Sequence, residues 1–179
     1  MEILEFAAEM FEEYGTRLYG YLDGLTTEEL NWSPNAEANS IAFIVWHTAR
    51  VEDRWFQIFC QDRPPIWASG RWFEKLGMSE DQSFVGRAPA DIASFPTLEI
   101  DGLKAYFEAV RAETQKYLAS IGSEDLDTTP GRSPFGTPDS PGPFAQFTIQ
   151  RMFRQLIQEE IQHLGQVGLL RGLKRGLDK

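Results

Sequence analysis

The chain holds one cysteine, Cys60, in 179 residues. No internal disulfide can form, which fits a reducing compartment. Basic residues are scarce beside acidic ones: 17 Lys and Arg against 27 Asp and Glu, for a net charge of −10. That balance argues against nucleic acid as a partner, because phosphate binding draws on clustered Lys and Arg and no such cluster occurs. An anionic membrane surface would repel the chain for the same reason. No hydrophobic run approaches the roughly 20 residues of a transmembrane helix. The opening Met1-Glu2-Ile3-Leu4-Glu5 lacks the cationic start of a secretory signal. The expectation is a cytoplasmic protein. Alternating strand patterns are missing too, which leaves helices.

Four long stretches carry helical periodicity, and at this length they fit a single domain over residues 1–179. Ile3, Phe6, Met10, Tyr14, Leu18 and Leu22 recur at intervals of three and four, the spacing of a stripe that faces a core. Thr26 and Glu29 then stand at capping-box spacing for a short turn. A second helix is predicted from Asn39 or Ser40 through Cys60, apolar around most of its circumference and therefore largely buried. The third spans Leu98 to Ile121, with Gly122 as its stop, and the fourth runs from Gln146 to Leu173. Between the second and third helices lies a long insertion with Pro64, Pro65, Gly70, Gly77 and Pro89 as breaks and Trp67, Trp72 and Phe73 as anchors. It reads as a packed aromatic cover, with a short helix over Arg71 to Leu76 as one candidate. A loop rich in Pro and Gly joins the third helix to the fourth. The predicted class is all-α, an up-down four-helix bundle.

Histidine is the other scarce residue. The chain has two, His47 and His163, and each lies on the apolar stripe of a different predicted helix. Glu159 precedes His163 by four residues, so the two side chains can converge on one ion. Glu160, on the other flank of His163, is a competing carboxylate. His47 has to arrive from the second helix. Two imidazoles and a carboxylate inside a bundle are the ingredients of a divalent-metal site with open positions. The alternative is a pair of satisfied core histidines. Arg50 and Arg54 follow His47 on the same side of the helix and are candidates to anchor a substrate carboxylate. The competing role is an ion pair with Asp53, Glu52 or a neighbouring helix. Cys60 sits among Phe56, Ile58 and Phe59, where a small buried hydrophobe is the expected role.

Asn31-Trp32-Ser33-Pro34, then Asn39-Ser40-Ile41-Ala42 leading into Val45-Trp46-His47, resembles a segment of the DinB superfamily around its first metal histidine. Glu159-Glu160-Ile161-Gln162-His163-Leu164-Gly165-Gln166 resembles that superfamily's C-terminal ligand segment. The superfamily includes bacillithiol S-transferases and the mycothiol-dependent maleylpyruvate isomerase, and a His, Glu, His set is closest to the mycothiol-dependent branch. The resemblance implies His47, Glu159 and His163 as metal ligands. It further implies a low-molecular-weight thiol as co-substrate, an electrophilic small molecule as acceptor, and a homodimer. Two imidazoles and a carboxylate accept Zn²⁺ foremost, and also Ni²⁺ or Fe²⁺. The expected activity is thiol S-transfer, or isomerisation through a thiol adduct. A metal-dependent hydrolase with Glu160 or another carboxylate as base, and a non-catalytic metal-stabilised bundle, are the competing readings.

Overall fold

The structure, a computed structural model, describes residues 2–82, 94–135, 139–140 and 142–176. Among these residues there are seven α-helices and no β-strand. Four are long: α1 (Ile3–Leu22), α3 (Ile41–Arg54), α6 (Ile100–Leu118) and α7 (Ile149–Arg175). Three are short: α2 (Thr27–Asn31), α4 (Ile66–Ser69) and α5 (Trp72–Lys75). No described helix is long and apolar enough to cross a membrane.

Side-chain caps fix where the helices start. Ser40 Oγ accepts from the Phe43 amide at 3.2 Å and opens α3. Thr148 Oγ1 accepts from the Arg151 amide at 3.3 Å and caps α7, which starts at Ile149, three residues later than its periodicity predicts. The predicted box at α2 is complete, with Glu29 N donating to Thr26 Oγ1 at 3.2 Å and Thr26 N to Glu29 Oε2 at 2.8 Å. Each such cap contributes about 1 kcal/mol. The last six residues of the predicted second helix, Trp55–Cys60, are wound as a π-helix rather than an α-helix.

Apolar faces pack α1 on α7, and α3 on both α6 and α7. They form two buried clusters. One gathers Leu18 and Leu22 of α1, the α3 residues Ile41 to Trp46, Leu103 to Val110 of α6, and Leu164 to Leu170 of α7. The other gathers Ala7 and Phe11, Val51 to Phe59, Tyr117 and Leu118, and Ile149 to Leu156. Between the two lies a buried polar layer. Arg111 reaches Glu52 and Glu160, each at 3.0 Å, and Thr114 Oγ1 donates to Glu52 Oε1 at 2.6 Å.

The order in which each helix meets the clusters gives its direction. α1 and α7 run from the second cluster to the first, and α3 and α6 run from the first to the second. Simple up-down alternation is therefore corrected to up, down, down, up. The insertion carries the chain back along the body, so α3 and α6 are parallel.

The described residues of the insertion pack aromatic side chains against α3 and α6. Asp53, fully buried in α3, accepts from the backbone of Ile66 at 2.7 Å and Trp67 at 2.9 Å, and from Tyr106 Oη at 3.0 Å. Trp67 is buried against Trp46 and Tyr106. The short helix predicted over Arg71 to Leu76 is α5, and the part of the cover around Pro89 lies outside the described residues. Where α1 ends, Arg171 Nη1 donates to the carbonyls of Tyr21 and Asp23 at 2.9 and 3.0 Å, satisfying groups that the helix leaves open. Gly168 admits the Tyr21 ring there, since a Cβ at 168 would lie 3.0 Å from it.

One part of the α1 reading is corrected. Tyr14, Leu18 and Leu22 are buried as expected, but Ile3 and Phe6 are 48% and 44% exposed, and the first turns bury Ala7 and Phe11 instead. Ile3 and Phe6 border a groove beside α7 rather than the core.

Candidate metal centre

Packing α3 against α7 brings His47 to Glu159 and His163. Glu159 and His163 stand one turn apart on α7, so their side chains leave the helix in nearly the same direction. Both imidazoles meet one carboxylate oxygen. His47 Nε2 is 3.3 Å from Glu159 Oε1, and His163 Nε2 is 3.2 Å from it. The two rings meet edge to face with centroids 4.8 Å apart. One ligand atom from each residue falls within 4.8 Å of the others.

This geometry suits a cation. Donors of a four-coordinate Zn²⁺ with bonds of about 2.0–2.1 Å stand roughly 3.3 Å apart, close to the observed N–O separations. The donor set, two neutral nitrogens and an anionic oxygen, is one that Zn²⁺ and its neighbours in the first transition row accept. The side chains of His47, Glu159 and His163 are 13%, 29% and 18% exposed, so the cluster opens to solvent rather than being sealed in the core. Three protein donors and an open side leave room for a guest.

Electrostatics hold the cluster together. Hydrogen bonds from His163 first, then from His47, bring the Glu159 carboxyl down to about 2. Burial works against protonation of His163, but its bonds to Glu159 and Gln166 outweigh that and raise its pKa above the ordinary value. Gln166 Oε1 lies 2.8 Å from His163 Nδ1. An amide oxygen there accepts the Nδ1 proton, so the Nε2 lone pair is the one free for a cation once the Nε2 proton leaves. Phe43, one turn before His47, stacks on its ring at 6.0 Å and 10°. A cavity of about 100 Å³ lined by Phe43, Phe95, Ser40 and Asn31 lies one turn along α3 from His47.

The remaining candidates fall elsewhere. Glu160 points away from the histidines into the polar layer, buried against Arg111. Burial, above all, raises its pKa well beyond the carboxylate range. Of the two carboxylates left open by spacing, Glu159 is the one beside the imidazoles. Arg50 is buried, with its guanidinium 4.5 Å over the Trp67 ring and 3.9 Å from Asp53, the ion pair weighed as its competing role. Arg54 Nε donates to the Pro134 carbonyl at 2.6 Å, and its guanidinium lies over Phe135. Burial pushes the Cys60 thiol up to about 12, which fits a packing role and not a nucleophile. The described part of the Pro/Gly-rich loop packs through Phe135 and Phe144 on Trp55, and its residues 136–138 and 141 lie outside the described residues.

Gln166 is the contributor that the reading by spacing does not single out. Its signal was present, since position i+3 from a histidine on a helix is within hydrogen-bond reach.

A two-histidine, one-carboxylate cluster carried by facing helices of an all-α fold defines the class: a helical protein with a candidate metal centre. The sequence profile of the DinB superfamily matches residues 10–167. The chain belongs to the DinB superfamily. Its fold is similar to that of a conserved protein from Enterococcus faecalis of known crystal structure, with a TM-score of 0.80 and 25% identity over 97% of each chain. No curated protein sequence matches it.

Proposed function

We propose that the chain is a cytoplasmic metal-dependent enzyme of thiol S-transfer, with isomerisation through a thiol adduct as a variant of the same chemistry. The four long helices act as a bundle whose facing members present the ligands. The observation that carries the reading is the meeting of His47, Glu159 and His163 at 3.2–3.3 Å with an open side. His47 and His163 would hold the ion through Nε2 and Glu159 through a carboxylate oxygen, with Zn²⁺ as the ion these donors fit best. A bound divalent ion lowers the pKa of a thiol and so supplies a thiolate at neutral pH. In transfer, a bond would form between thiol sulfur and an electrophilic carbon as that carbon's bond to its leaving group breaks, the leaving group departing with the electron pair and the thiol proton passing to solvent. In the isomerisation variant the sulfur would add to an activated double bond and later be expelled as the thiolate.

The chain's own residues would shape the rest. Gln166 orients His163, and Phe43 holds the His47 ring in place. The cavity beside Phe43 and Phe95 is a seat for the acceptor, with Ser40 and Asn31 as its polar lining. Hydrolysis has less support, because Glu160, the one carboxylate named for the role of base, is committed to Arg111.

Metal analysis and turnover test the reading together. Purified protein should bind one divalent ion per chain, and the His163→Ala and Glu159→Ala variants should lose it. A panel of small thiols with electrophilic acceptors should show adduct formation that stops on chelation. Metal content unchanged in both variants would refute the ligand assignment. Ester or amide cleavage without any thiol adduct would refute the reaction.

A further inference from the structure

The start of the α1 stripe does not serve the core. Ile3 and Phe6 are 48% and 44% exposed, and Met10 is half-buried. All three line a furrow between α1 and α7 instead. Its first part is a cavity of about 410 Å³ bordered by Ile3, Phe6, Ile157 and Ile161. Its second, of about 210 Å³, is bordered by Met10, Tyr14, Ile161 and Leu164. Ile161 belongs to both, so the two parts are continuous. The helices run in the same direction, and the furrow follows them from Gln150 to Leu164. That is a length of about 21 Å at about 1.5 Å per residue.

These dimensions restrict the occupant. Two packed helices lie about 8–10 Å apart axis to axis, so the furrow between them takes one extended chain. An α-helix with its side chains is about 10–12 Å across and would rest on the rims. Cavities of this volume are those of small-molecule clefts, and apolar walls call for an apolar guest.

Charge restricts the head group. Of the residues bordering the larger cavity, Arg154 alone is charged. It is exposed, and no acidic side chain pairs with it among the described residues. The residues one turn away on α7, Gln150, Arg151, Ile157 and Gln158, include no acid to do so. Glu13 and Arg17, at the far end of the furrow, pair with each other at 2.5 Å and cancel. In a chain of net charge −10, the uncompensated charge on the furrow is thus positive.

We propose that the furrow binds a free long-chain carboxylate, with its tail along Ile157, Ile161 and Leu164 and its head on Arg154. A guanidinium offers a carboxylate two parallel N–H donors. From Arg154 to Leu164 the helix rises about 15 Å, which an extended chain of roughly twelve carbons spans. An anionic bilayer, the other source of such a head and tail, would repel so acidic a chain. The proposal does not depend on the metal or on the reaction. Ile157 and Ile161 each precede a candidate ligand by two residues, which sets them about 160° round α7 from Glu159 and His163.

Calorimetric titration of the full chain with dodecanoate, and with dodecyltrimethylammonium as its cationic counterpart, tests it. One dodecanoate should bind per chain, at least 10-fold more tightly than the cation that the net charge alone would favour. Arg154→Gln, at an exposed position, should raise the dodecanoate dissociation constant about 10-fold, the loss of one charge-assisted contact. Ile161→Glu should abolish binding, and both variants should keep the metal content of the wild type. No uptake of dodecanoate at 1 mM would overturn the proposal. So would equal or tighter binding of the cation, or an Arg154→Gln variant that binds dodecanoate as the wild type does. Sedimentation in the same samples covers the other occupants. A chain that takes up dodecanoate only as a dimer dissociates, or that binds phosphatidylglycerol vesicles and no free dodecanoate, would assign the furrow to a second copy or to a membrane and overturn the proposal.

Discussion

Gln166 stands outside the three candidate ligands, on the Nδ1 side of His163, with Nε2 turned to Glu159. Its Oε1 lies 2.8 Å from Nδ1 and orients the imidazole. Partners of this kind typically account for 10–100-fold in metal affinity. Gln166→Ala keeps all three donors, and its metal dissociation constant should rise by about that factor, read by competition with a chromophoric chelator. An affinity equal to wild type would show that the ring is held by packing alone. The pairing of Glu159 with His163 was legible because helical spacing fixes it before any tertiary contact is known. The choice between Glu159 and Glu160 was not. Both flank His163 within one turn, and what separates them is Arg111, 49 residues away from Glu160 and placed only by packing. His47 was legible as a candidate, but its approach to within 3.3 Å of Glu159 depends on how α3 meets α7.

Among the elements, the cover depends most on a single contact. Asp53 accepts two backbone N–H groups at the start of α4 and the Tyr106 hydroxyl, so one buried carboxylate ties the cover to α3 and α6. Asp53→Ala strands those donors, each worth about 1–3 kcal/mol when buried without a partner. The expected result is a melting temperature lower by at least about 6 °C, with amide exchange accelerated at Ile66 and Trp67 far more than in α3. Uniform acceleration across the helices would mean that the cover is not a separable unit. Burial pushes the Asp53 carboxyl up to about 6, against the pull of its hydrogen bonds. The aromatic anchors of the cover were readable as such, because Trp67 and Trp72 in a segment broken by proline and glycine need a surface to bury against. The direction of α6 was not readable. Helix periodicity is the same for parallel and antiparallel neighbours, and only the path of the insertion sets it. The π-helical turn that follows α3 leaves no mark in the largely apolar run Trp55–Cys60.

At the scale of the whole molecule, the cluster couples protons to folding and, on the proposed reading, metal to both. Without metal, Glu159 and His163 stabilise the fold as a hydrogen-bonded ion pair. The Glu159 carboxyl, depressed to about 2, contributes stability that is present above its ordinary value near 4.3 and lost as pH falls towards 2. The raised pKa of His163 has the opposite sign: its contribution is present below about 6.5 and is lost as pH rises through the higher folded value. Metal reverses the second effect, because a cation must displace the His163 Nε2 proton and binds more tightly as pH rises. Zinc at 100 times its dissociation constant adds about 2.7 kcal/mol, which for a chain of 179 residues is roughly 5–11 °C in melting temperature. Scanning calorimetry with and without zinc should therefore show a gap that widens from pH 5.5 to pH 8, closes on adding a chelator, and is missing in Glu159→Gln. The metal-free protein should still melt cooperatively, since its two apolar clusters are complete without the ion. If chelation instead abolishes the transition, the ion is holding the fold together, and the open side of the cluster is not there for a guest.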